Sequence, residues 1–143
     1  MRGYFGIALY NPKIQTNWGT ILRTANILGA SFISTIGNRY TQDASDTCKT
    51  KRHIPIFHFR TFEEFKQSIP NNCDLVGVEL TSNSTELRHY LHPERACYLL
   101  GAEDSGIPEE IIKQCQDVIR LKGEYSLNVA VAGSIVLYHR VAL

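Results

Sequence analysis

Short apolar runs alternate with segments of helical periodicity along the 143 residues. That alternation predicts an α/β fold, a mostly parallel sheet flanked by helices. Phe5–Leu9, Phe32–Ile36, Leu75–Val78, Tyr98–Leu100 and Val118–Leu121 read as strands, because each is short, largely apolar and bounded by turn-forming or polar residues. Between them, Asn17 to Leu28 places Ile21, Ala25 and Leu28 on one helical face, and Gly29 stands where a left-handed stop is needed. Thr61 followed by Glu64 is a capping box opening a second helix that ends before Pro70. Pro108 followed by Glu109 and Glu110 suits the first turn of a third. A last, almost wholly apolar helix starts near Ser126–Asn128 and runs to the C-terminus. The polar stretch from Gly37 to Pro55 reads as a long surface loop.

Composition changes this picture little. Hydrophobic residues at 43% and charged residues at 20% exclude a disordered, collagen-like or coiled-coil chain, and the length fits one domain spanning residues 1–143. The first residues lack a signal-peptide pattern, and the longest apolar run, Val129 to Tyr138, falls short of the ~20 residues that span a bilayer. A cytoplasmic protein without a membrane partner is expected. Cys48, Cys73, Cys97 and Cys115 form no CxxC pair and have no histidine at zinc-finger spacing, so reduced packing thiols are expected and no metal site. A net charge of +1 gives no sign of nucleic acid.

Three segments carry candidate chemistry. In the first, Asn17-Trp18-Gly19-Thr20-Ile21-Leu22-Arg23, Arg23 lies roughly 200° around the helix from Ile21 and faces solvent or a ligand. Asn17 is either a turn or capping residue or part of a site. In the second, Leu99 to Pro108, Gly101 and Gly106 follow a strand's carboxyl end, where open α/β sheets bind ligands, and they also suit an ordinary strand-to-helix turn. The spacing excludes a P-loop and GxGxxG, and Glu103 and Asp104 would repel phosphates and favour a cationic ligand. In the third, Gly123 to Gly133, Ser126 and Asn128 cap the final helix or face a ligand, and Gly133 inside that helix implies close packing.

Together, NxGxxxR after the first strand, LGxExxGIP late in the chain and SLNVAVA opening the final helix resemble the three motifs of TrmH/SpoU-type methyltransferases of the SPOUT class. Each motif is weak alone, while three in this order over nearly the whole chain are specific. The resemblance implies a C-terminal deep trefoil knot, a topology that general rules treat as a rare exception. It implies S-adenosyl-L-methionine as cofactor, an obligate homodimer, and 2'-O-methylation of RNA ribose, with tRNA the expected target. Transferred by position, cofactor contacts fall on Val78, Glu79, Gly101, Glu103, Ile119, Leu121, Ser126 and Asn128. Arg23 and Asn17 become catalytic candidates, with Glu103 and Ser126 orienting them. Two departures stand out: Arg120 where most relatives have proline, and an end at Leu143 that is earlier than in many relatives. No RNA-binding domain is expected before Met1, so the RNA surface is expected on the catalytic domain or its dimer.

A guanidinium pKa of ~12.5–13.8 makes Arg23 a poor base, and it suits stabilising a developing alkoxide or fixing a phosphate, with Glu103 or solvent taking the proton. For RNA, Arg39, Lys49, Lys51 and Arg52, with Tyr40 and His53 nearby, form a basic and aromatic loop that either grips phosphates and a base or stands as a solvated charged loop. A second reading is an RNA-binding or assembly module that keeps the fold without catalysis. A flavodoxin-like nucleotide-binding protein is disfavoured by Asn11-Pro12-Lys13, which stands where its phosphate loop belongs.

Overall fold

The computed structural model describes residues 3–37, 54–125 and 127–143. Its centre is a seven-stranded, wholly parallel sheet of β1 (Tyr4–Tyr10), β2 (Phe32–Ile36), β3 (Ile56–Phe59), β4 (Asp74–Val78), β5 (Thr85–Glu86), β6 (Arg95–Leu100) and β7 (Asp117–Arg120), in the order β3-β2-β1-β6-β4-β7-β5. Among the described residues the α-helices are α1 (Gln15–Leu28), α2 (Phe62–Ser68), α3 (Glu109–Ile112) and α4 (Val129–Ala142), with a 3-10 turn at Leu87–His89. All five expected strands are present to within a few residues. β3 and β5 are additions: β3 is a four-residue edge strand behind Pro55, and β5 is only two polar residues long. β5 has no apolar run by which a strand is read, whereas β3 is apolar at three of four positions, interrupted by His58, and is only half-buried to exposed.

Alternation along the strands explains why both sheet faces are covered. In β1, Ile7 and Leu9 pack with α1 and α4, while Ala8 points to the opposite layer with Phe62 and Phe65 of α2. In β6, Tyr98 and Leu100 join the first layer, and Cys97 and Leu99 the second. A strand buried on both faces has no polar side, hence its continuous apolar sequence. Cys73 and Cys97 are buried free thiols, used as small hydrophobes.

The helix ends follow the local signals with two refinements. Thr61 Oγ1 accepts from the Glu64 N–H, and Gly29 closes α1 at φ 85°. α1, however, begins two residues before Asn17, with Ile14 as an N-cap that supplies no side-chain bond, so Asn17 is inside the helix rather than capping it. Pro108 is the N-cap of α3, which is a single turn. Gly133 is where α4 presses on α1: a Cβ there would lie 2.6 Å from Ile21 Cδ1 and 3.2 Å from Ile7 Cδ1. Among the described residues, no helix is long and apolar enough to cross a membrane.

After β1 the chain steps to β2 and β3 on one side, then returns to β4 on the other, leaving the place beside β1 for β6. Such a reversal opens a crevice beyond the strands' carboxyl ends, and there the three candidate segments meet.

Candidate functional site

A cavity of about 620 Å³ lies at this crevice, walled by the segments following β4, β6 and β7, by the start of α1, and by the entry to α4. Six of the expected cofactor residues line it: Val78, Glu79, Gly101, Glu103, Leu121 and Asn128. Ile119 does not, being fully buried in the core with its carbonyl accepting from the Glu79 N–H at 3.0 Å. Asn17 lines the cavity and is buried. Arg23 is exposed on α1, six residues and about 9 Å further along the axis, and is not among the lining residues. Ser126, Arg39, Lys49, Lys51 and Arg52 lie outside the described residues.

The loop after β6 is a closed turn. Ala102 and Gly106 exchange backbone hydrogen bonds of 3.2 and 2.9 Å, so the chain doubles back within four residues. Gly106 adopts φ 68°, and a Cβ on Gly101 would sit 2.3 Å from the Gly106 carbonyl carbon. The two glycines are thus required by the turn itself. Glu79, from the end of β4, fastens it: Oε2 accepts from Ile107 N–H at 2.9 Å and Oε1 from Leu80 N–H at 3.0 Å.

Glu103 stands at the tip of that turn and serves α1. Its carboxylate accepts from the backbone N–H groups of Lys13 (2.9 Å) and Ile14 (3.3 Å) and from Asn17 Nδ2 (3.3 Å). The first turn of α1 has no acidic residue of its own, so an anion from ninety residues away fills a helix N-terminus that its own sequence leaves open. Burial pushes the Glu103 carboxyl pKa up, but the hydrogen bonds from its own backbone, Lys13, Asn17 and Ile14 outweigh this and hold it below the ordinary range.

The Asn17 amide orientation follows without ambiguity. A carboxylate only accepts, so Asn17 turns Nδ2 to Glu103 and Oδ1 away. That Oδ1 accepts from Asn128 Nδ2 at 3.0 Å, which leaves Asn128 Oδ1 to cap α4 through the Ala130 and Val131 N–H groups at 2.8 and 3.2 Å. One polarised chain, Glu103 to Asn17 to Asn128 to α4, therefore joins residues from all three sequence segments across the cavity wall.

The lining charges are Glu79, Glu103 and Asp104 against Arg120, a balance that favours a cationic ligand. Lining residues not anticipated from the sequence include Leu80, Tyr125 and Leu127, all exposed, Tyr125 by 83%. Large apolar side chains held outward in a polar loop were the available signal, since such groups at a concave site offer a surface for a flat ring.

Comparison with known proteins agrees with this arrangement. The chain is 30% identical over 144 residues to a tRNA (cytidine(34)-2'-O)-methyltransferase of Ancylobacter novellus, covering 92% of this chain and 87% of that protein. It is 28% identical over 134 residues to the tRNA (guanosine(18)-2'-O)-methyltransferase TARBP1 of Mus musculus, covering 86% of this chain and 8% of that protein. The fold superposes on the AdoMet-bound rRNA methyltransferase from Sinorhizobium meliloti with a TM-score of 0.83 and 27% identity, over 97% of this chain and 56% of that one. The chain thus spans only part of the latter two proteins. With the three motif segments gathered on one cavity, and with residues 4–138 matching throughout, the chain belongs to the SpoU rRNA Methylase family.

Proposed function

We propose that this protein is a cytoplasmic RNA 2'-O-ribose methyltransferase that uses S-adenosyl-L-methionine and acts on tRNA. The observation that carries the reading is the Glu103–Asn17–Asn128 chain, which fixes three loops around a carboxylate-rich cavity at the sheet's switch point. The cavity fits the cofactor on three counts: a sulfonium cation finds three carboxylates, an adenine finds Leu80, Tyr125 and Leu127, and the tight Ala102–Gly106 turn brings backbone close to the ligand. When bound, S-adenosyl-L-methionine supplies an electrophilic methyl group. Val78, Glu79, Gly101, Glu103, Leu121 and Asn128 would hold it, with Ser126 joining them by its place in the motif, and Ile119 would contribute by fixing the Glu79 backbone rather than by contact.

Methyl transfer is an in-line displacement, so the residues act mainly by positioning the ribose hydroxyl and its adjacent phosphate. Arg23 serves as the donor that stabilises charge on the attacking oxygen, and its planar fork also suits a phosphate. Glu103 orients Asn17 and the start of α1 instead of acting as base, because a carboxylate already accepting three hydrogen bonds and held below its usual pKa has little tendency to take a proton. The hydroxyl proton goes to solvent.

Because Arg23 does not line the cavity of its own chain, the acceptor must bridge from one to the other, and a homodimer gives the natural surface for that. Val131, Ile135 and Tyr138 are exposed at spacings of four and three on α4, an apolar stripe of the kind a second copy covers. A deep trefoil knot in the C-terminal part of the chain, as the resemblance to the family implies, belongs to the same proposal. Arg39, Lys49, Lys51 and Arg52 supply phosphate contacts. The test is calorimetry with S-adenosyl-L-methionine, then transfer of labelled methyl to bulk tRNA and nuclease digestion. Cofactor heat with label on ribose supports the reading; label on a base overturns it, and binding of RNA without transfer favours the non-catalytic module.

A further inference from the structure

The segment Glu79 to Ser84 forms one side of the cavity and is restrained at both ends by different devices. At its start, Glu79 is bonded to Ile107 and Leu80. At its end, the chain enters β5, whose two residues pair with β7 only as Thr85 with Ile119 and Glu86 with Arg120. Two register pairs are a weak anchor, since short strands gain little from their ladders. The Arg120 side chain adds to them. Although Glu86 is its direct neighbour in register, Glu86 turns to Arg88 at 2.8 Å, and Arg120 Nη1 instead donates to the carbonyl and, at 3.3 Å, to the hydroxyl of Ser84. Ser84 is buried and is itself bent back, its hydroxyl donating to Thr81 O at 2.7 Å. The guanidinium thus closes the Thr81–Ser84 turn onto the end of β7 while lining the cavity.

We propose that Arg120 is a positioning residue for the cofactor: it latches the Glu79–Ser84 segment to β7 and so preorganises the wall formed by Val78, Glu79 and Leu80. This rests on reading the cavity as an S-adenosyl-L-methionine site. Without the latch the ligand itself must order the segment, and that cost appears as lost affinity. The effect is on binding, so it is recovered at high cofactor concentration.

The experiment compares the wild-type protein with Arg120→Met, Arg120→Lys and Ser84→Ala. Calorimetry uses S-adenosyl-L-methionine and 5'-methylthioadenosine, which lacks the amino-acid part, and hydrogen exchange of the free protein follows peptides covering residues 79–86. Arg120→Met is expected to weaken both ligands alike, by about 10-fold on the scale of ordering a short loop, and to speed exchange of residues 79–86. Arg120→Lys recovers part of the loss, because an ammonium reaches one acceptor but cannot fork. Ser84→Ala, which removes the hydroxyl's bonds with both Arg120 and Thr81 and keeps the carbonyl, weakens binding slightly and carries the test if Arg120→Met does not fold. Unchanged affinity and exchange in the variants overturns the latch. A loss confined to S-adenosyl-L-methionine also overturns it, since that assigns Arg120 to the ligand's carboxylate. Absence of cofactor heat in the wild type overturns the reading of the cavity instead, while exchange in the free protein still decides the latch.

Discussion

Lowering the pH should destabilise this protein through one buried histidine, His92. It is 7% exposed, and its ring lies between Tyr98 and His139, with Nδ1 2.6 Å from the Tyr98 hydroxyl and Nε2 2.7 Å from His139 Nδ1. The proton positions are fixed from one end. Arg140, wholly buried against the Phe5 ring, donates from Nη1 to the Tyr98 oxygen at 3.0 Å, which leaves the buried Tyr98 hydroxyl hydrogen to satisfy His92 Nδ1 at 2.6 Å. His92 therefore carries its proton on Nε2 and donates to His139, and Nδ1 has no room for a second proton. Burial is the largest cause of its lowered pKa, followed by the charges of His139, Arg140 and the N-terminal ammonium, and together they bring it to about 4. Tyr90 packs edge-on against the same ring, with its own hydroxyl donating to Asp117 at 2.8 Å.

The unfolded chain takes up a proton on this histidine near pH 6.5, while the folded chain resists until about 4. The unfolded state thus binds more protons across that window, so the contribution is fully present above pH 6.5 and is lost progressively as the pH falls towards 4. Linkage gives a loss of about 2 kcal/mol at pH 5 and about 3 kcal/mol in full, of the order of a large fraction of a small domain's stability. The measurement is urea unfolding at pH 7.5 and 5.0, at matched ionic strength and protein concentration, for wild type and His92→Gln. Other titrating groups are common to both proteins, so the wild type should lose about 2 kcal/mol more than the variant over this interval. Parallel losses within about 0.5 kcal/mol would refute the argument, as would a ring titration of His92 near 6.5 by NMR.

Three further outcomes follow from the site. Glu103→Gln should lower stability by roughly 1 kcal/mol, the scale of a charge at a helix N-terminus; in thermal unfolding its deficit should be present above the usual glutamate pKa and vanish as the pH falls through the lowered folded value, where the wild type loses its carboxylate too. Arg23→Ala should leave folding and cofactor calorimetry near wild type and cut single-turnover transfer by on the order of 10²–10³, with poor rescue by lysine, whereas a normal rate would remove Arg23 from catalysis. Lys51→Ala with Arg52→Ala should weaken tRNA binding and flatten its salt dependence while cofactor heat is unchanged; a constant salt slope would exclude that loop from the RNA surface.

The fold was legible wherever burial imposed a pattern. Strands covered on both faces appear as apolar runs, and the Thr61 and Gly29 signals stand at the ends they mark. β5 escaped because two polar residues leave no such imprint, and β3 because its short apolar run, broken by His58, follows directly on Pro55 at the end of a polar stretch. The site was legible in part: Asn17, Glu79, Gly101, Glu103 and Asn128 do converge on one cavity. What the sequence could not convey is what each does there. A glutamate that caps a helix ninety residues away, or an arginine that ignores its register neighbour for Ser84, depends on distances between chain segments that no local spacing encodes. The buried Arg140 is a similar case, since a basic residue near a helix C-terminus reads as an ordinary partner of the helix dipole.

The polarity of the Asn17 link explains why three individually weak motifs act as one unit. Glu103 can only accept, which orients Asn17; Asn17 then offers only an oxygen, which orients Asn128; Asn128 is left with the one atom able to cap α4. Each step removes a choice from the next, so aspartate at position 17 would face carboxylate against carboxylate, and a hydrophobe would leave buried donors and acceptors without partners. The same bonds that cap α1 and α4 also set the distances between the loops after β6 and β7. Helix stability and cavity shape therefore share their hydrogen bonds, and a substitution in the chain cannot alter one without the other. Arg23 stands outside this network, two turns along α1, exposed and without a core-packing role. It inherits its place from the helix that the network fixes, and that separation is what allows the role in turnover proposed for it to be tested apart from folding.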